Sequence, residues 1–295
     1  LNPYDPCVAN KIINGKQFTV VWHVDDLKIS QAEEAEVDKF IKWVERLYAS
    51  DEIGQVKTSR GKKHVYLGME LEYCEDGSVK VGMVDYVRRM LEEFPKEITG
   101  EAITPAAVYI FVTRKNDKPL SVDDAAVFHT TVAKGLFACK RARPDIQLAI
   151  AFLSTRVKNP GQDDWKKLIR LMKYLNGTKE LVTTLSIDRA AILKWHVDVA
   201  YGLHDDMKSH TGYSLSLGKG GVTNNSIKQK LMTKSSTEAE VVGTDDAMPQ
   251  ILWTNYFLTA QGFKFNGTVV YQDNKSAILL KMNGKMSSTK HTKHM

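Results

Sequence analysis

The chain has 295 residues, enough for two or three domains with real cores, and its 43% hydrophobic and 26% charged content is ordinary for a soluble globular protein. No apolar run approaches the roughly 20 residues of a membrane helix, and no basic-then-apolar leader opens the sequence. The net charge of +6 is uneven: residues 1–100 carry 14 Lys/Arg against 18 Asp/Glu, residues 101–189 carry 15 against 9, and residues 190–295 carry 12 against 8. The basic two-thirds could follow a phosphate backbone or be plain solvated surface.

Phe18 to Val24 is β-branched and aromatic and predicts a strand. The extended pattern resumes over Leu27–Ile29, which leaves Asp25 and Asp26 at a hairpin tip. Ser30 and Glu33 have capping-box spacing, and Val37, Phe40, Ile41, Val44, Leu47 and Tyr48 follow at helical period, so 31–49 reads as an amphipathic helix. A second hairpin is expected from Val65–Leu71 and Val79–Gly82, turning near Asp76-Gly77. A helix from Asp85 to Phe94 should stop at Pro95. Residues 96–120 lack a period and read as a linker with one short strand at most. Three helices follow, from Ser121 to Arg141, from Pro144, and from Asp164 to Leu175 with a stop at Asn176-Gly177. Beyond Ala190, strands are expected at Ile192–Val199, Thr211–Leu217 and Ser226–Leu231. Then come a long helix over 236–260, a strand at Thr268–Gln272, a helix at Lys275–Met282 and a basic tail. The fold class is therefore α/β (α+β), in three parts: 1–100, 101–189 and 190–295.

Several residues could carry chemistry. Asp25 and Asp26 repel each other at their tip, and a cation would stabilise them; a solvated turn is the plainer reading. Asp198 interrupts an apolar strand, Glu240 lies in the first turns of the long helix, and Asp273 closes a strand. Three such acids could converge on Mg²⁺, which prefers oxygen ligands, and a two-metal site can cleave phosphodiesters. Read singly, each acid is equally a cap or a solvated strand end. In the basic middle, Lys134, Lys140, Arg141, Arg143, Lys166, Lys167, Arg170 and Lys173 fall on predicted helices and are candidate phosphate contacts; weak, salt-sensitive, sequence-independent binding to hybrid or duplex is expected of them. Cys7, Cys74 and Cys139 are odd in number and far apart, which fits a reducing compartment rather than a disulfide framework. His291 and His294 lack partners for a zinc pattern. Trp22, Trp43, Trp165, Trp195 and Trp253 are expected in cores.

The pieces join in a resemblance. Val21-Trp22-His23-Val24-Asp25-Asp26-Leu27 resembles the Y-V-D-D strand of reverse transcriptases. Tyr66-Leu67-Gly68-Met69-Glu70-Leu71 resembles the F-L-G-I-E-I of copia-type enzymes, and Arg143-Pro144-Asp145-Ile146 their T-R-P-D-I. Trp165 with Tyr174-Leu175-Asn176-Gly177-Thr178 resembles H-W…Y-L-K-G-T. Ser209 with Thr211-Gly212-Tyr213 is similar to K-S-T-S-G-Y, Ser235 to Glu240 to S-S-T-E-A-E, Asp273 to Ala277 to D-N-Q-S-A, and Thr292-Lys293-His294 to T-K-H. In one order over nearly the whole chain, these identify a copia-type retrotransposon polyprotein, spanning the C-terminal part of reverse transcriptase and a ribonuclease H domain.

The resemblance implies a partial palm and thumb over 1–100, a basic helical connection over 101–189 and a ribonuclease H-like mixed sheet over 190–295. It makes Asp25 a polymerase metal ligand with Asp26 beside it, and puts Tyr66 to Leu71 near the primer terminus. It makes Asp198, Glu240 and Asp273 three ribonuclease H acids holding Mg²⁺ in a two-metal site. Its implied partners are RNA–DNA hybrid, template and primer, and the rest of the polyprotein, with no membrane. The implied place is intracellular, in cytoplasm, virus-like particle or nucleus. His23 departs from the usual Tyr. The other palm Asp is expected before Leu1 and the fourth ribonuclease H acid after His294, so the chain is expected to be a fragment, unable to polymerise and slow or silent as a nuclease. Pro249 inside the long helix should cost about 3 kcal/mol or kink it. A catalytically inactive nucleic-acid-binding module and a degenerate remnant are the competing readings.

Overall fold

The computed structural model describes residues 1–49 and 55–284. The expected basic tail, with His291, Thr292, Lys293 and His294, lies outside the described residues. The chain is α+β, with three sheets among those residues.

The first sheet has strand order β1-β2-β3, from Val8–Ile13, Lys16–His23 and Asp26–Ser30. Asn14-Gly15 joins the first two with both φ positive, the backbone that Asn-Gly favours in two-residue hairpins. The first strand is an addition to the sequence reading. At the second turn His23 pairs with Asp26, so Asp26 begins β3 and Val24-Asp25 form the tip. The helix α1, Glu34–Tyr48, follows, with Phe40 of α1 against Phe18 of β2. The expected Ser30 cap is not formed. Glu33 takes the N-cap position without a side-chain bond to the helix, because its carboxylate instead accepts from Asn14 Nδ2 at 2.9 Å and pairs with Lys16.

The second sheet begins with β4 (Lys63–Tyr66), β5 (Met69–Tyr73) and β6 (Val79–Gly82). What reads as one strand over Val65–Leu71 is two, split by a turn at Leu67-Gly68 where both φ are positive. Four helices pack on this sheet: α2 (Val84–Glu92), α3 (Val122–Cys139), α4 (Gln147–Ser154, entered through a 3₁₀ turn at Pro144–Ile146) and α5 (Gln162–Gly177). Ser121 caps α3 by accepting from Asp124 N. A single core joins Leu71 and Val81 to Phe128, Ile150, Leu168 and Leu175, so it crosses residue 100 without a break. Residues 96–120 contain no strand; Ile110 and Phe111 are buried there as plugs under turns. The strand β7 (Thr183–Ile187) then returns to pair with β6.

The third sheet is built from β8 (Leu193–Ala200), β9 (His210–Ser216), β11 (Thr223–Lys228) and β12 (Thr268–Tyr271). The two-residue β10, Gly218–Lys219, pairs with β7 and ties the second sheet to this region. The third sheet's order is β11-β9-β8-β12, with only β12 parallel to its neighbour. Alternation along β8 sends Leu193, Trp195 and Val197 inward, against Ala247 and Ile251 of the long helix α6, Ser236–Ala260. The helix runs through Pro249 unbroken. Pro249 and Asp245, the residue four earlier whose carbonyl loses its donor, both face solvent, where water can serve that carbonyl. The last helix, α7, covers Lys275–Asn283. Of the five tryptophans, Trp165 and Trp195 are core, while Trp43 and Trp253 are substantially exposed, on α1 and α6. No helix of the described residues is long and apolar enough to cross a membrane.

Candidate functional site

Three local devices bring one set of acids together. Ser235 accepts a hydrogen bond from Glu238 N at 3.2 Å and starts α6, which sets Glu240 in its second turn facing β8. Gly243, one turn on, lets the helix come close: a Cβ there would sit 2.3 Å from Val199 Cγ2. Asn274 caps α7 by accepting from Ala277 N at 2.9 Å, and so holds the turn that presents Asp273 beyond β12.

The result is a cluster of Asp198, Glu240 and Asp273, each offering a carboxylate oxygen, all within 4.8 Å of one another. Among the described residues it is the only group of three or more potential ligands. Asp198 and Asp273 are exposed and Glu240 is buried. Burial holds the Glu240 carboxyl above its usual range, and the charges of Asp198 and Asp273 push the same way. Gln272 works against them by donating from Nε2 to Glu240 Oε2 at 2.9 Å, while its Oε1 accepts from Asn274 N. Lys281 of α7 also approaches. The residue is exposed overall, but its ammonium bonds Thr244 Oγ1, one turn on from Glu240; burial lowers its pKa and Glu240 opposes that. Gln272 and Lys281 were not singled out in the sequence. Gln272 stands next to Asp273, but nothing in its residue type announced the bond to Glu240.

Beneath the cluster, Thr211 donates to Asp246 Oδ2 at 2.9 Å, and Gln229 Nε2 donates to Thr211 Oγ1 and to Ala239 O. The Ser209-to-Tyr213 motif thus locks β9 to the start of α6. His210 and His204 bond each other at 3.0 Å, and His210 also bonds Ser226. Burial lowers His210 to about 4, with His204 adding to the shift.

Asp198 and Asp273 open onto a groove of about 870 Å³ across the sheet face, walled by Tyr213, Tyr271, Asn225 and Gln147. His196 stacks on Tyr271 beside it, with centroids 4.7 Å apart.

Asp25 and Asp26 form no comparable site. Both are exposed at their hairpin tip, and among the described residues no further ligating groups gather on them. They line a separate cavity of about 470 Å³ with Lys28, Arg60, His64 and Tyr66. Lys28 Nζ lies 3.2 Å from His64 Nε2. Burial raises the Tyr66 phenol's pKa, and Asp26 adds to it.

The expected basic contacts divide. Arg143 is withdrawn from any surface: it is 1% exposed, forks onto Asp145 at 2.8–3.3 Å and donates to both oxygens of Thr178. Lys167 is also buried, donating to Val112 O and paired with Asp163. Arg143 and Lys167 are thereby removed from the candidate phosphate contacts, because burial obliges a cation to find protein acceptors. Lys134 pairs with Glu93, Lys140 bonds Asn225 Oδ1, and Arg141 lies over the Phe137 ring. Lys166, Arg170 and Lys173 have no carboxylate partner within 4.0 Å among the described residues.

No family model matches the chain. It is 27% identical over 297 residues to a "Retrovirus-related Pol polyprotein from transposon TNT 1-94" of Nicotiana tabacum, covering 97% of this chain and 22% of that one. A "Putative transposon Ty5-1 protein" of Saccharomyces cerevisiae is 24% identical over 237 residues, 78% of this chain and 72% of its own length. A "Retrovirus-related Pol polyprotein from transposon RE2" of Arabidopsis thaliana is 33% identical over 140 residues, 47% of this chain and 10% of that one. These likenesses are to retrovirus-related Pol polyproteins and a transposon protein. Within that likeness the named relatives are polyproteins of copia-type transposons, with which the chain is consistent, and it spans 22% of the length of the tobacco relative.

Proposed function

We propose that the third sheet and α6 form a ribonuclease H-like unit that hydrolyses the RNA strand of an RNA–DNA hybrid, using Mg²⁺ held by Asp198, Glu240 and Asp273. The observation that carries this reading is the approach of the three carboxylates to within 4.8 Å. Three hard oxygen donors, one of them buried under the repulsion of the other two, are a donor set that a divalent cation relieves. When bound, Mg²⁺ in such a site activates water and offsets charge at the scissile phosphate.

The chain's own groups divide the remaining work. Glu240 is fixed by Gln272 and by burial, so it anchors. Asp198 and Asp273 face the groove and reach whatever lies in it. The groove's Tyr213, Tyr271 and Asn225 supply stacking and hydrogen-bonding surface for ribose and backbone, the features by which an A-form-like hybrid is recognised. Three carboxylates leave most of a metal pair's coordination to water, so turnover is expected to be slow.

The test uses the purified chain, a hybrid labelled on its RNA strand, and Mn²⁺ binding followed by calorimetry. Slow Mg²⁺-dependent cleavage of the RNA strand is expected, abolished by chelation and by Asp198→Asn. Mn²⁺ affinity that ignores Asp198→Asn would refute the site. Metal binding without cleavage would favour the inactive nucleic-acid-binding module or the degenerate remnant.

RNA-directed DNA synthesis, the other activity implied by resemblance, would place Asp25 at the polymerase metal with Asp26 beside it. A two-metal centre needs more ligands than this pair offers. The chain alone is expected to give no extension of a primed RNA template above background, and we place its activity, with its hybrid, inside the cell.

A further inference from the structure

Across α5 from the core, Lys166, Arg170 and Lys173 recur at i, i+4 and i+7 and so share one helix face over about 10 Å. They wall a pocket of about 670 Å³, closed on its other side by the segment carrying Ile103, Tyr109 and Arg114. The pocket shares no lining residue with the groove at the acid cluster. Its acids are few. Asp163 is engaged by both Lys167 at 3.0 Å and Arg114 at 3.5 Å, and Glu101 stands at one edge. Arg170 donates to Thr104 Oγ1, but its Nε is shielded from solvent without an acceptor among the described residues. Three cations without carboxylate partners are thus held around one concavity. At its rim Tyr109 is 60% exposed and Ile103 is 96% exposed, which presents an aromatic ring and an apolar side chain to the solvent.

We propose that this pocket is a binding site for single-stranded nucleic acid, separate from the acid cluster and independent of its chemistry. The cation row matches a phosphate backbone, and the exposed Tyr109 ring with its apolar neighbour offers a face for an unpaired base. A row of cations beside an aromatic platform is the arrangement that suits a single strand, whose bases are free to stack on protein; in a duplex those bases are already stacked on each other. A chain that also handles a hybrid would thereby hold unpaired template or product beyond the duplex.

The test is fluorescence anisotropy of the full chain with a labelled oligo-dT or oligo-U of about 12 nucleotides, in chelator so that no cleavage intervenes, with the corresponding duplex as comparison. Tighter binding of the single strand is expected, falling steeply with salt. Each phosphate contact contributes about 0.7 to the log–log salt slope of a single strand, so K166A/R170A/K173A should lower that slope by about 2 and weaken binding at least tenfold at low salt. Tyr109→Ala should weaken it at least fivefold and Tyr109→Phe should restore it, since stacking survives without the hydroxyl. Lys166→Glu, at an exposed position, keeps the test available if the triple variant does not fold. Asp198→Asn should leave this binding unchanged, which separates the proposal from the nuclease reading. Equal or tighter binding of duplex, no binding at low salt, or unchanged affinity in the lysine and arginine variants would each overturn it.

Discussion

The hairpin tip with Asp25 and Asp26 and the cluster of Asp198, Glu240 and Asp273 gather acids in opposite ways. At the tip, two carboxylates are neighbours in sequence, both exposed, and water screens them. In the cluster, the acids come from β8, α6 and the end of β12, and tertiary packing forces them within 4.8 Å with one member buried. Water can disperse the first repulsion but only part of the second, because Glu240 is buried. What falls on Glu240 is met by a cation, by hydrogen bonds such as that from Gln272, or by protonation. Adjacent acids in a sequence are therefore a weaker sign of a metal centre than distant acids that a fold compels to meet.

The largest expected effect tests that contrast directly. Asp198→Asn and Glu240→Gln should each weaken Mn²⁺ binding at least tenfold, whereas Asp25→Asn and Asp26→Asn should change it less than twofold. Calorimetric titration of the four variants decides it. A loss at Asp25 equal to that at Asp198 would mean that the exposed pair is the stronger metal site and that the comparison runs the wrong way.

Acid should also separate the two regions. His210 supports the third sheet, and its pKa of about 4 lies below the ordinary 6.5 because burial disfavours the imidazolium. Between those values the unfolded chain binds a proton that the folded chain does not. Stability is therefore complete above about pH 6.5 and declines as pH falls towards 4, by at most ~3 kcal/mol. No buried histidine lies in the first sheet among the described residues. Hydrogen exchange at pH 7 and pH 5 should show β9 and β11 amides losing protection before those of β2. His210→Gln should flatten the difference, and uniform loss across both sheets would contradict it.

Gly243 sharpens the comparison further, since the cluster depends on close packing and the tip does not. A methyl at Gly243 would press on Val199 Cγ2, so Gly243→Ala should force α6 and β8 apart. Overpacking of this kind costs about 1–3 kcal/mol. Chemical denaturation should show that loss together with weakened Mn²⁺ binding. Loss of stability with intact metal affinity would mean that Glu240 tracks β8 by some other contact.

Much of this arrangement was legible in the sequence for physical reasons. The long helix expected over 236–260 is found as Ser236–Ala260, and the three acids stood out because one interrupts an apolar strand, one lies in the first turns of that helix and one closes a strand. What escaped had a weak local signature. The strand β1 carries Asn10 and Lys11 and leaves Ile12 mostly exposed, as an edge strand can; β10 is two residues long and is defined only by its partner β7. The turn at Leu67-Gly68 has one glycine where two positive φ values are needed, so β4 and β5 read as one strand. Arg143 looked like surface charge because a sequence does not reveal that Asp145 and Thr178 close around it.

The smallest expected effect concerns the tip itself. Val24 has φ +56 while Asp25 is not in the left-handed region, and Val24 is 87% exposed. A positive φ at the first of two turn residues is the pattern of a II′ hairpin turn, where glycine is preferred. A β-branched residue there pays roughly 1–2 kcal/mol in steric strain. Glycine would remove that strain but lose more backbone entropy on folding, on the order of 0.5–1 kcal/mol. The balance favours Val24→Gly by up to about 1.5 kcal/mol, read as a small rise in thermal midpoint, with Mn²⁺ binding at the cluster unchanged. That outcome fits a tip whose acids are ordinary turn residues in this chain. A destabilised Val24→Gly variant would point the other way: the strained valine would then be held by its surroundings for a purpose, as strained residues at functional sites are.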